Sequence, residues 1–311
     1  MSPQPDPCVL VIGSTAIDVK GWAGQLLVAG TPNPGLVRIA PGGVARNVAE
    51  NMSRLGLDTR LLSVVGGDEF GATTLEVTSR CGVDVEGVQI IPGERTGAYV
   101  SVLNERGIPR WSVSDMALSK NLTPALIYRQ RRWFRDADWI VIDASLDEKA
   151  LATLFRLATR YGVPVVADPT SASLAPCLLP WLSHLAMITP NEAEAAVLCE
   201  QAVTNREEAL EAAKRLVSQG VGLAIVTLAE AGLAYATPSE SGHVPAIRCD
   251  VVDYTGAGDA LTAGIVFGLL NDFPPGEAVR LGVSAATLTL RCADTVCPDL
   301  SLERLYDQLV I

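Results

Sequence analysis

A mostly parallel β-sheet with helices on both faces is the fold class predicted for this chain of 311 residues. Three observations carry that expectation. Short β-rich runs alternate with segments of helical period along the whole chain. Those runs are apolar almost without a break, as strands covered on both faces are. Hydrophobic residues supply 49% of the composition and aromatic residues only 5%, which suits an aliphatic, packed interior large enough for an enzyme.

Taken in order, residues 8–12 read as the first strand and lead through Gly13 to Asp18, at the carboxyl edge where ligands of parallel sheets collect. Residues 19–40 break the rhythm with the turn signal Asn33-Pro34-Gly35 and read as a hairpin-type insertion. Pro41-Gly42-Gly43 then opens a helix whose apolar stripe, Val44, Val48, Met52 and Leu55, is closed by Gly56. A strand at 61–65 follows. A second insertion spans 95–115, where β-rich segments at 98–103 and 111–113 flank Glu105-Arg106-Gly107. Strands at 139–142, 163–167, 187–189 and 223–227 continue the alternation. A strand-like segment at 247–252 runs into Asp253-Tyr-Thr-Gly-Ala-Gly-Asp259, and a helix follows at once over 260–270. No repeat, low-complexity tract or linker divides the chain. One domain over 1–311 is expected, its two insertions forming a β lid above the ligand crevice.

Charge and cysteine usage exclude several functions. With 24 Lys+Arg against 35 Asp+Glu the net charge is -11, which repels the phosphates a nucleic-acid binder must neutralise. Apolar stretches at 8–12, 139–142 and 262–270 fall short of the roughly 20 residues that span a bilayer, so no membrane partner is expected. The seven Cys are scattered, odd in number and free of C-x-x-C pairs, and no secretory signal precedes them, which fits a reducing cytoplasm. Only His184 and His243 are present to complete a metal set with Cys292 and Cys297, so no structural zinc is expected. The Walker loop and G-x-S-x-G are absent, and Leu261 stands where a dinucleotide fingerprint needs its third glycine.

The remaining signals concern phosphate and hydroxyl groups. Gly256, Ala257 and Gly258 let the backbone approach an anion at a helix start, where the dipole amounts to about half a charge. Asp259 at the same start can accept a proton from an alcohol attacking a phosphoryl group; a capping carboxylate behind a tight turn is the alternative. Gly42 and Gly43 admit a sugar close to the chain, and Asn47 offers a donor and an acceptor to its hydroxyls, unless it is simply an exposed helical Asn. Asp18 can accept two adjacent hydroxyls or serve as a turn residue. Asn191 and Glu194 begin another helix, close to phosphate oxygens or hydrated Mg²⁺, or as a capping box.

Paired in this order, Gly42-Gly43-x-x-x-Asn47 and Asp253-x-Thr-Gly-Ala-Gly-Asp259 resemble the two signatures of the ribokinase-like (PfkB) carbohydrate kinases. The resemblance covers essentially the whole chain. It implies a ribokinase-like three-layer α/β sandwich with a small β lid, and ATP-dependent phosphorylation of a sugar or nucleoside hydroxyl with Mg²⁺. Asn33-Pro34-Gly35, Ile91-Pro-Gly-Glu-Arg-Thr96, Ser114-Asp115-Met116 and Pro298-Asp-Leu-Ser301 are most similar to the branch acting on the 5′-hydroxyl of pseudouridine. Ribose, fructose or a conventional nucleoside are the competing acceptors, and a catalytically idle sensor is the remote alternative.

Carried over by position, the resemblance makes Asp259 the base and Gly256, Ala257 and Gly258 the anion hole. It places Asp18, Gly42, Gly43 and Asn47 on the ribosyl hydroxyls, and Thr96 and Asp115 on the nucleobase or lid. It assigns Asn191, Thr227 and Gly232 to the nucleotide, Glu194 to Mg²⁺ through water, and Asp253 and Thr255 to a monovalent-cation site that implies K⁺. Three departures stand out: Ala229 in place of the usual glycine of the nucleotide loop, Tyr254 beside the cation loop, and the lack of a Gly- or Ala-rich pattern over 292–299. The lid strands are candidates to pair across a homodimer.

Overall fold

The computed structural model describes residues 7–104 and 109–308, so the turn Glu105-Arg106-Gly107 lies outside the described residues. The chain enters through β1 (Cys8–Ile12), leaves along β2 (Ala16–Trp22) and β3 (Leu36–Gly42), and returns through helix α1 (Val44–Arg54) to β4 (Asp58–Leu62). Strand β5 (Val64–Gly66), helix α2 (Glu69–Arg80) and β6 (Gln89–Ile91) lead to β7 (Gly97–Leu103) and β8 (Pro109–Asp115). Helices α3 (Pro124–Arg129) and α4 (Arg131–Asp136) precede β9 (Trp139–Asp143), α5 (Glu148–Tyr161), β10 (Val165–Asp168), β11 (Leu185–Ile188), α6 (Glu192–Cys199), α7 (Arg206–Ser218) and β12 (Leu223–Thr227). The antiparallel strands β13 (Leu233–Ala236) and β14 (Ser241–Val244) follow, and then α8 (Ala257–Leu270), α9 (Pro275–Leu290) and α10 (Leu302–Asp307).

Among the described residues, eight strands form the central sheet in the order β14-β13-β12-β11-β10-β9-β1-β4, all in one direction except β13, which pairs antiparallel with both β12 and β14. The pleat of β1 assigns the layers. Leu10 and Ile12 enter the apolar cluster that holds Phe134, Ile140 and Phe155, whereas Val9 and Val11 enter the one that holds Met52, Val141 and Phe267. Both faces are therefore covered, as the unbroken apolar runs require.

A separate four-stranded sheet, β3-β2-β7-β8, is built from the two insertions. Directly opposed residues share a face, so Asp18, Tyr99 and Ser114 line up on one side and Val19, Ile39, Val100 and Val113 on the other. The second side carries exposed Val37, Ile39, Trp111 and Val113.

Two expected strands differ. The run at 61–65 divides at Ser63, whose hydroxyl donates to the Gly13 carbonyl at 2.6 Å and ties the crossing chain to the end of β1. Residues 247–252 are a loop: Pro245 lacks the N–H to continue the ladder beyond Val244, and the segment crosses to α9, where the Val252 N–H donates to Leu290 O at 2.8 Å. No described helix is long and apolar enough to cross a membrane.

Candidate active site

The strand order reverses between β1 and β9, and the crevice beyond their carboxyl ends is where an open α/β sheet collects ligands. Asp143, the last residue of β9, fastens that crevice. Its Oδ2 accepts from the Ser14 N–H at 2.7 Å, the Ser14 hydroxyl at 2.6 Å and the Ala45 N–H at 3.1 Å. A buried carboxylate thus holds the β1 loop and the positive end of α1 together. Gly42 ends β3 beside Asp18, where an added Cβ would lie 2.2 Å from the carboxylate, and Gly43 is the residue that caps α1.

One turn into α1, Asn47 is buried rather than exposed, because α8 packs across this face. Its Nδ2 donates to Asp259 Oδ2 at 2.8 Å, joining residues 212 positions apart. Asp259 stands in the first turn of α8, which no side chain caps. Gly256 precedes that helix with φ 85, and an added Cβ would lie 1.8 Å from the Thr295 carbonyl oxygen, so conformation and space both require glycine. Nothing lies within 4 Å of a Cβ built on Gly258. Ala257 and Gly258 line a cavity, so the first turn of α8, the positive end of its dipole, borders open space.

Burial pushes the Asp259 carboxyl up to about 7; the Asn47 hydrogen bond opposes this and Asp18 and Asp143 reinforce it. A carboxyl group titrating near neutrality is a stronger base than an ordinary Asp. Asp168, at the end of β10, is pushed well above the usual carboxylate range by burial and by the neighbouring Asp259 and Glu194. Burial also raises Glu194, which forms the capping box with Asn191 that the sequence left open.

Two cavities lie near these residues, one at the start of α8 and the other beside Asp18. One of about 590 Å³ is lined by Asn191, Thr227, Gly232, Ala257 and Gly258, with apolar walls from Leu261, Val283 and Leu290. Ala229 lines it too with φ 45, a left-handed conformation in the position where related loops use glycine. Tyr254 stands on the same wall. The other cavity, about 250 Å³, is bordered by Asp18, Lys20, Arg38 and Thr295. Burial raises the Asp18 carboxyl, and the Thr295 hydroxyl donates to its Oδ2 at 3.0 Å. Asp253 begins the turn before α8 and accepts from the Thr255 N–H and hydroxyl, each at 2.9 Å.

Thr96 directly precedes β7 and Asp115 ends β8. The Thr96 hydroxyl donates to Asp68 Oδ1 at 2.5 Å and accepts from the Gly66 N–H, so it secures the start of α2 and is committed within the protein. Asp115 is exposed on the Val113 side of the small sheet, opposite to Asp18, because it is paired with Ala98, whose partner across β2 is Ile17. Conversely, Asp143, Asp168, Lys20 and Thr295 belong to the site but carried no motif. The signal available for the two aspartates was their place at the carboxyl ends of apolar runs.

Residues 7–300 match the family model described as pfkB family carbohydrate kinase. Pseudouridine kinase of Escherichia coli (strain K12) is 34% identical over 295 residues, 94% of this chain and 94% of that one. A solved carbohydrate kinase from Agrobacterium tumefaciens, 29% identical, superposes with a TM-score of 0.79 over 97% of this chain and 96% of the other. Arabidopsis thaliana ribokinase, solved with ribose and ATP, shares the fold at a TM-score of 0.83 and 21% identity, over 99% of this chain and 100% of its own. On the family match over residues 7–300 and the identity to a curated relative, the chain belongs to the pfkB family of carbohydrate kinases, sugar or nucleoside phosphotransferases.

Proposed function

We propose that this kinase transfers the γ-phosphoryl group of ATP to the 5′-hydroxyl of pseudouridine, giving pseudouridine 5′-phosphate and ADP. The observation that carries the transfer is the contact between Asn47 and Asp259 at an uncapped helix start that borders the larger cavity. The 34% identity to pseudouridine kinase supports the acceptor.

In this reading the larger cavity takes ATP against Asn191, Thr227 and Gly232, with its terminal phosphate before the amides of Gly256, Ala257 and Gly258. Asp18, Asn47 and the backbone at Gly42 and Gly43 hold the ribosyl hydroxyls. The acceptor hydroxyl lies between Asp259 and the phosphorus; as the new P–O bond forms and the bond to ADP breaks, its proton passes to an Asp259 oxygen. An alcohol is too weak an acid to lose that proton early, so Asp259 takes it late. The amides are preorganised for the charge on the transferring group.

The donors present fit Mg²⁺. Asp168 and Glu194 are carboxylates whose acidity is suppressed by burial, a situation that a cation relieves. Among the described residues no three metal-ligating side chains converge, so the ion would be held partly by water and phosphate oxygens. When bound, Mg²⁺ neutralises charge on the phosphates. The small sheet serves as the lid of a single kinase domain, and its apolar outer side as the contact of a homodimer. The seven free thiols accord with a cytoplasmic location.

Coupled ADP release with pseudouridine, uridine, ribose and fructose side by side tests the acceptor. Pseudouridine is expected to give the highest kcat/KM. Equal or better turnover of another acceptor would replace it, and no ADP release with any of them would remove the transfer itself.

A further inference from the structure

The strand that delivers Asp18 also delivers a cation. Lys20 lies two positions further along β2 on the same face and is 3% exposed. Its ammonium donates to Asp253 Oδ2 at 2.6 Å and to the Thr295 hydroxyl at 3.1 Å, and that hydroxyl donates in turn to Asp18. The other Asp253 oxygen accepts both hydrogen bonds from Thr255. Each carboxylate oxygen is therefore engaged, one of them by a full positive charge supplied by the chain. A K⁺ ion at Asp253 and Thr255 would sit against that ammonium with its charge already balanced, so these residues do not fit the monovalent cation that the family resemblance implied.

We propose that Lys20 is a tethered cation that takes the electrostatic place of K⁺ and makes phosphoryl transfer by this protein independent of added monovalent cations. It is a positioning residue. By holding Asp253 and Thr295 it fixes the turn whose Gly256 backbone lies against Thr295, and thereby the aim of the α8 amides relative to Asp18. The inference rests on the transfer reading above.

The test compares KCl, NaCl and tetramethylammonium chloride at equal ionic strength, reading both initial rate and thermal unfolding without substrate. The unaltered protein is expected to show rates within about twofold of one another and the same Tm in all three salts. In NaCl, Lys20→Ala is expected to lose about 10- to 100-fold in kcat/KM and to melt at lower temperature, with KCl or methylammonium restoring part of both. Lys20→Met, which keeps the aliphatic stem, serves if the alanine variant does not fold. Activation of the unaltered protein by K⁺ of more than about fivefold, or a K⁺-specific rise in its Tm, would overturn the proposal. So would wild-type kcat/KM for Lys20→Met in NaCl. Failure of ADP release in every salt would count against the transfer reading alone, because the melting measurements report on Lys20 without it.

Discussion

As the proposed base, Asp259 combines three demands on one side chain: it must be buried to be strongly basic, hydrogen-bonded to be oriented, and ionised to work. Removing it by Asp259→Ala should lower kcat about 10²- to 10⁴-fold, measured by coupled ADP release, because the helix amides and both cavities remain. Since the ionised form is the base, kcat/KM should rise with pH through about 7. Asn47→Ala should move that limb to higher pH as well as raise the acceptor KM, since the Asn47 N–H favours the carboxylate. A pH profile flat from 5 to 9 would remove Asp259 from the role.

Burial of this carboxyl also bears on stability. The folded state keeps a proton that the unfolded chain has released once pH exceeds the ordinary Asp value of 3.8, so stability falls as pH rises towards about 7 and is level beyond it. Asp259→Asn should therefore stabilise the inactive protein by on the order of 2 kcal/mol at pH 8 and by nothing at pH 3. Urea unfolding at the two pH values checks the sign.

At the scale of elements, the turn into α8 contains two glycines with opposite duties. Gly256→Ala should destabilise by more than about 2 kcal/mol, because it combines a left-handed conformation with collision against Thr295. Gly258→Ala should leave stability unchanged or raise it by up to about 1 kcal/mol as a better helix former. Its methyl group enters the larger cavity, so it should raise the KM for ATP. Thermal melts and nucleotide titrations of the pair separate structural from functional glycine.

Which elements were legible follows from the same physics. The runs at 8–12, 139–142 and 223–227 were plain because strands buried on both faces leave no polar gaps. The loop at 247–252, Ile-Arg-Cys-Asp-Val-Val, alternates apolar and polar residues as a half-buried strand would and misled, since it is the neighbouring proline that stops the ladder. Asp18, Asn47 and Asp259 were legible because their glycine partners fix the spacing. Asp143 and Asp168 were not, because a lone carboxylate after a strand looks like any turn residue. Lys20 was hidden by distance, its partner lying 233 positions away. The polar side of α1 looked solvent-facing until α8 was seen to cover it.

At the scale of the whole molecule, the outer side of the small sheet leaves Val37, Ile39, Trp111 and Val113 in water, an arrangement that marks contact surfaces. Light scattering should give the mass of two 32.8 kDa chains, and Val113→Arg that of one. A single-chain mass for the unaltered protein would remove the homodimer.

Strand β2 carries chemistry on one edge of its zigzag and grease on the other: Asp18 and Lys20 alternate with Ile17 and Val19. Inserting or deleting one amino acid there would exchange the two sets wholesale, sending the carboxylate and the ammonium outward and the aliphatic groups into the cavity that Asp18 and Lys20 now border. Indels in this short stretch should consequently be tolerated far less well than almost any point change, whichever residue they add or remove.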